Sequence, residues 1–197
     1  MNLIISDRSY AEEMLKRVSY YALISGYKKL FRNPTTRKYK DNTTFEEIIA
    51  LYKFDESLRE LFLKYLLQIE QTMRSLLSYD KVNEKELVQY LKVLTKFRNI
   101  CAHNDRLFSF TTKDDIPDTT LHSKLSIAKK GTQYIYGKRD LFSVVIAFRY
   151  LLRKDDFSTF KSILGKTIDQ FISQTTHVTD ADLLFEMGFP ANWKRIS

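Results

Sequence analysis

Apolar positions recur every three to four residues over most of the chain, the period of an amphipathic helix. The longest such stripe is Leu58, Leu61, Phe62, Tyr65, Leu66, Ile69, Met73, Leu76 and Leu77. It reads as the core face of a long bundle helix rather than a cofactor-binding strip. Thr44-Phe-Glu-Glu47 is a capping box that opens a helix through Ile48, Ile49, Leu51 and Tyr52. Ser57-Leu-Arg-Glu60 suggests a restart after a bend at Phe54-Asp55. Upstream, Ser9-Tyr-Ala-Glu12 is another capping box, and Met14, Leu15, Val18, Tyr21 and Ala22 predict a helix ending near Ser25-Gly26. The basic segment 31–40 between them is expected to be a solvated connector, with contact to RNA as the minor alternative.

Downstream, residues 84–103 carry a further helical pattern, followed by a polar loop at 109–117. A short helix is expected over 121–130, then a turn or short β piece over 131–137. Residues 141–152 are apolar almost all round, which places that helix centrally. Asp155 or Asp156 is suited to cap the next helix, expected to reach about Ser173. A last short helix over 179–187 is stopped by Gly188 and Pro190. No internal repeat or low-complexity tract is present.

With 5 Gly and 3 Pro in 197 residues, a turn-rich β-sandwich is disfavoured and long helices are favoured. An apolar content of 44%, including 14 Phe and 12 Tyr, is enough for a real core. The expectation is a single domain over 1–197, all-α, a helical bundle with peripheral short helices. The net charge of +8 would attract a polyanion, although charge alone does not identify one. Cys101 has no partner for a disulfide, which fits a reducing compartment. The N-terminal apolar stretch is too short for a secretion signal, and the longest apolar run, 141–148, falls far short of the roughly 20 residues of a membrane span. A soluble, cytoplasmic protein without membrane contact is expected.

The chemistry concentrates in Lys96-Phe-Arg-Asn-Ile-Cys-Ala-His-Asn-Asp-Arg106. At about 100° per residue, Leu87, Leu91, Leu94, Phe97 and Cys101 share one side, and Arg98 lies within about 40° of its middle. A guanidinium there is costly unless it is paired or has a task. His103 lies about 140° from Arg98, on the polar face with Lys92, Lys96 and Asn99, and Arg106 lies roughly 60° from it. The two therefore do not meet along one straight helix. Either the helix ends or distorts near His103, or two copies of the segment meet across a two-fold axis.

Plainer roles exist for each residue. Arg98 suits a buried ion pair, and His103 suits the last carbonyls of a helix. The three His at 103, 122 and 177 are far apart, and one Cys gives no zinc-ligand spacing, so no metal or other cofactor is implied. Asp114-Asp115 and Asp155-Asp156 read as loop and cap carboxylates rather than a magnesium site. Tyr134 and Tyr136, near Lys129, Lys130, Lys138 and Arg139, suit packing better than base stacking. Cys101 faces the apolar side, as a core residue would. No phosphate-binding Gly-rich loop occurs.

Arg98-Asn-Ile-Cys-Ala-His103-Asn-Asp-Arg106-Leu-Phe resembles the Arg-Asn-x-x-Ala-His-x-x-Arg-Leu signature of Abi-like (abortive infection, AbiD/AbiF-type) proteins. Val18-Ser-Tyr-Tyr-Ala-Leu-Ile-Ser-Gly-Tyr27 resembles that family's N-terminal element, and residues 44–55 and 58–74 resemble its long central helix. The tail Leu184-Phe-Glu-Met-Gly-Phe-Pro-Ala-Asn-Trp193 resembles its ending. The chain departs from the family between Tyr79 and Lys85, where only Asp80-Lys81-Val82-Asn83-Glu84 replaces further helical elements, so a segment near 79–82 is either naturally short or missing.

This family falls within the HEPN superfamily, and the resemblance implies a HEPN-type bundle that dimerises and cleaves RNA without metal. His103 would be the general acid/base, Arg98 would stabilise charge on the transition state, and Asn99 would orient His103 or the phosphate. Arg106, Lys96, Lys92 and Asn104 would hold neighbouring parts of the RNA. The products would carry a 2′,3′-cyclic phosphate or 3′-phosphate and a 5′-hydroxyl. A homodimer with a composite site, and an antitoxin or small RNA partner, are further expectations. Two rivals stand beside the nuclease: a non-cleaving RNA-binding HEPN module that holds a small structured RNA, and a helical oligomerisation protein with Arg98 in a dimer ion pair.

Overall fold

The computed structural model describes residues 3–76 and 84–197, the side chains of 74–76 apart. Its long helices are α2 (Phe45–Leu76), α3 (Glu84–Ala102), α5 (Leu141–Leu151) and α6 (Lys154–Ser173). Helix α2 packs on α3 and α6, and α5 packs on α3 and α6, which closes a four-helix circuit. Shorter helices α1 (Arg8–Arg17), α4 (Thr120–Lys124) and α7 (Asp180–Met187) lie at its periphery. The all-α bundle expected from the sequence is thereby the observed class. The β content among the described residues is slight: a two-stranded hairpin, β1 (Lys129–Lys130) and β2 (Gln133–Tyr134), and isolated bridges.

Helix α5 is central because all of Leu141 to Phe148 is buried, as its unbroken apolar run requires. Phe148 meets Phe62 and Tyr65 of α2 and Phe160 of α6, with ring centroids 4.9–6.2 Å apart. The α2 stripe is core from Leu58 through Ile69. Leu77, its last expected member, and the shortened segment at 79–82 lie outside the described residues. The Thr44–Glu47 capping box is present in both directions, at 3.1 and 3.3 Å.

Several local expectations need correction. Helix α2 does not bend at Phe54-Asp55 or restart at Ser57, because Asp55 is a buried helix-interior residue engaged elsewhere. The N-cap of α1 is Asp7, which accepts from the Tyr10 amide, so Ser9 lies inside the helix. Helix α1 stops at Arg17, and a separate π-helical turn (Tyr21–Ser25) follows, where one continuous helix to Ser25 was expected. Val18 is extended, and the Ser19 hydroxyl accepts from the Ala22 amide and so starts the turn. The helix expected over 121–130 ends at Lys124, and Lys129–Lys130 are paired in the hairpin. The N-cap of α6 is Arg153, with Asp155 and Asp156 in the first turn, where they favour the helix dipole.

Candidate active site

Helix α3 delivers the motif. Tyr90, Val93, Leu94, Phe97 and Cys101 form its buried face, while Lys92, Lys96, Asn99 and His103 are exposed on the opposite side. Burial raises the Cys101 thiol to about 12, so it is an inert core residue at neutral pH. Arg98 lies at the border between the faces, half-buried, with Nε 3.2 Å from Glu70 of α2 and Nη1 3.2 Å from Asn99 Oδ1. The arginine that breaks the apolar pattern is therefore paired rather than stranded.

The helix ends at the motif, after Ala102. The Asp105 amide donates to Ile100 at 3.0 Å, the Asn104 amide donates to Cys101 at 3.3 Å, and Asn104 takes φ 56°. This pairing of amides with a left-handed residue is the Schellman terminator. Asparagine is among the few non-glycine residues that tolerate it. Asn104, expected at the RNA, thus has a structural task as well.

His103 is the first residue beyond the end of α3. Its amide donates to Asn99 at 3.0 Å, and its exposed imidazole has no hydrogen-bond partner among the described residues. Asn99 therefore touches Arg98 through its side chain and His103 through its carbonyl. Arg98 and His103 do not touch each other within one chain. They stand about 7.5 Å apart along the helix axis.

Beyond the turn, Arg106 donates from Nη1 to the Gly26 carbonyl and has no carboxylate partner among the described residues. Lys92 and Lys96 likewise remain exposed along α3. A positively charged strip accordingly runs along the exposed face of α3 and over its C-terminal end.

The sequence reading missed what holds this end in place. Asp55, fully buried on α2, accepts from the Leu107 amide (3.1 Å), the Phe108 amide (2.7 Å), Tyr27 Oη (2.8 Å) and Arg59 Nη1 (2.6 Å). Burial pushes the Asp55 carboxyl up, while Arg59 and the other donors pull it back. Burial likewise works against the Arg59 charge, and Asp55 beside it holds the guanidinium above its ordinary value. Tyr27 is raised beyond the ordinary phenol range by burial and by the Asp55 charge. A signal was available: two opposite charges four residues apart, flanking Leu58 inside an apolar stripe, imply a buried pair.

The other candidate features resolve into structure. The Tyr134 ring stacks on His122 at 4.6 Å and carries the Lys129 ammonium at 4.4 Å. Lys138 and Arg139 are paired with Asp118 and Asp115. Buried His122 closes a capping box with Thr119 and reaches the Gly137 carbonyl at 2.9 Å. His177 lies between Glu47 (2.8 Å) and the Asp41 carbonyl (2.8 Å). No cluster of three His, Cys, Asp or Glu suited to a metal occurs among the described residues. No helix among them is long and apolar enough to cross a membrane.

Comparison with known proteins gives a family match. Residues 13–84 match the family described as Abi-like protein. The matched stretch contains α2, the π-helical turn and the Tyr27–Asp55–Arg59 network, and it ends before Arg98. No curated protein and no solved structure matches the chain.

Proposed function

Proceeding from the Abi-like family assignment carried by residues 13–84, we propose that this chain is a metal-independent endoribonuclease of the HEPN type acting in bacterial abortive infection. The observation that carries the reading is the exposed His103, without a hydrogen-bond partner among the described residues, at the end of α3, one turn beyond Arg98 and Asn99 on a lysine-bearing face. An exposed imidazole is available to move a proton at a ribose 2′-hydroxyl or a leaving 5′-oxygen. The planar donor fork of Arg98 suits the extra negative charge of a pentacoordinate phosphorus. Its pair with Glu70 is half exposed, and such pairs contribute only about 0–1 kcal/mol, so substrate can draw Arg98 away.

Arg98 and His103 leave the helix in different directions, so the proposed site is composite, built from two antiparallel copies of α3 rather than within one chain. In that arrangement His103 of one subunit faces Arg98 of the other, and Lys92, Lys96, Arg106 and Asn104 flank the RNA. An antitoxin or a small RNA would restrain the activity between infections.

The second reading, a non-cleaving RNA-binding module, is favoured by one observation: Arg98 is already engaged by Glu70. The discriminating assay incubates the protein, His103→Ala and Arg98→Ala with RNA and DNA, with and without EDTA. EDTA-resistant cleavage of RNA only, lost in both variants, is the expected result. Retention of RNA without cleavage by the unaltered protein overturns the nuclease in favour of the binding module.

A further inference from the structure

A cleft of about 550 Å³ opens beside the end of α3. It lies between the π-helical turn and the loop 104–111, so it adjoins His103 in the chain. Its volume lies within the roughly 300–1,000 Å³ typical of sites for small ligands. Three aromatic rings contribute to its lining: Tyr27, Tyr52 and Phe110. Tyr52 and Phe110 are half-buried, and each makes an edge contact on the core side, with Tyr27 at 5.5 Å and Phe97 at 5.0 Å.

The polar lining is open to a ligand. The side chains of Asn104, Asp105, Ser109 and Thr111 make no hydrogen bond to the protein among the described residues, although each lines the cleft. Arg106 contributes a cation whose protein contact is the Gly26 carbonyl. The walls of the cleft are also tied to the core. Asp55 grips Tyr27 on one wall and the 107 and 108 amides behind the other, so binding would meet a preformed shape.

We propose that this cleft is the base subsite for the nucleotide next to the scissile phosphate, and that it takes a splayed guanine of single-stranded RNA. Resting on the ribonuclease reading, the proposal adds a substrate preference to it. The aromatic rings supply an apolar surface against which a base can pack. Arg106 neutralises the attached phosphate. Asp105 would repel phosphate, which directs it to the base instead. Guanine is the base whose pairing edge presents two adjacent N–H donors to a carboxylate, whereas uracil offers one. A duplex cannot enter, because its bases are stacked and paired.

Gly26 provides a test that leaves the core alone. It lines the cleft in ordinary helical backbone (φ −70°), and a Cβ there meets no atom within 4 Å. Gly26→Leu therefore adds bulk at the wall, starting from a Cβ that meets no neighbour. The experiment titrates the full chain carrying His103→Ala with the four nucleoside 3′-monophosphates and with inorganic phosphate, by calorimetry. No cleavage is involved, so the outcome is independent of whether the protein is a nuclease.

Saturable binding of guanosine 3′-monophosphate is expected, at least about fivefold tighter than the uridine counterpart and tighter than phosphate. Adding Gly26→Leu or Asp105→Asn should weaken it by about tenfold, the order expected for losing one stacked or hydrogen-bonded base contact. Unchanged thermal unfolding of the Gly26→Leu protein separates blocking from unfolding. Nucleotide binding equal to that of phosphate, or undiminished by Gly26→Leu, overturns the subsite. If guanosine monophosphate binds as expected while RNA stays intact with the unaltered protein, the subsite stands and the nuclease falls. Cleavage without any base preference or nucleotide binding is the converse.

Discussion

Replacing Asp55 with Asn tests whether the end of α3 is held from α2. The substitution preserves shape and leaves one side-chain oxygen for the Leu107 and Phe108 amides, which now share the carboxylate. It removes the charge opposite Arg59, whose side chain is 5% exposed. Breaking a buried pair from one side costs about 3–5 kcal/mol, because the surviving charge is left uncompensated. Arg59 Nε lacks a partner among the described residues, and the other acceptors at Nη1, Tyr27 Oη and the Asp105 carbonyl, are neutral and stand at 3.5 Å, so neither replaces the carboxylate. Asp55→Ala would also orphan two buried amides, at about 1–3 kcal/mol each, and that total approaches the roughly 5–15 kcal/mol stability of a whole domain. Asn is therefore the measurable perturbation.

The assay is urea unfolding of the unaltered protein, Asp55→Asn, Arg59→Met and the double variant. Each single change is expected to cost about 3–5 kcal/mol, or roughly 6–20 °C in Tm for a chain of this size. The double variant should lose clearly less than the sum, since a neutral pair of similar volume often replaces a buried ion pair at little cost. A loss below about 1 kcal/mol for Asp55→Asn, or strict additivity in the double variant, would refute the clamp.

Glu47 gives a pH signature. Burial pushes its carboxyl up, but the Thr44 amide, His177, the Thr176 amide and the Thr175 hydroxyl outweigh this and lower it from 4.5 to about 2. Its contribution is therefore full above about pH 4.5 and lost as pH falls toward 2. At 1.36 kcal/mol per pH unit, discounted for screening, it amounts to about 1–3 kcal/mol, and urea midpoints of Glu47→Gln should lack this acid slope. Gly188→Ala should cost about 2–4 kcal/mol by thermal unfolding, because φ is 73° and the new methyl meets the Asp140 carboxyl group. Asn104→Gly should keep or slightly raise Tm, while Asn104→Val should lower it, with far-UV circular dichroism as the check. His103→Ala should leave Tm within about 2 °C, since an exposed residue without partners contributes little to stability, while RNA cleavage is lost.

The bundle was readable because helix signals are local. The α2 stripe, the Thr44–Glu47 box, the apolar run of α5 and Gly188 each announce their element within a few residues. What escaped the reading is long-range. Asp55 looked like a bend because a carboxylate inside an apolar stripe has no local rationale; its partners lie at 27, 107 and 108. The break at Val18 is local instead, a Ser19 cap on the Ala22 amide that the apolar period does not register. In the candidate site, the exposed face of α3 followed from the helical wheel, whereas the Arg98–Glu70 pair and the cleft require the folded chain.

The network also explains how a family match that stops before the motif can bear on it. Residues 13–84 supply Tyr27, Asp55 and Arg59, which grip the chain at 105–108 just after the terminator of α3. Turning Asn104 into the left-handed region directs Leu107 and Phe108 toward Asp55 and leaves His103 facing solvent. If the buried carboxylate positions the motif, Asp55→Asn should damage cleavage more than its global stability loss explains. Assays at a temperature where the variant stays folded would then give a lowered kcat, recovered in part by Asp55→Asn/Arg59→Met if relief of the stranded Arg59 charge restores the loop. Full activity in the folded single variant would separate the clamp from the chemistry and leave it as a stability element alone.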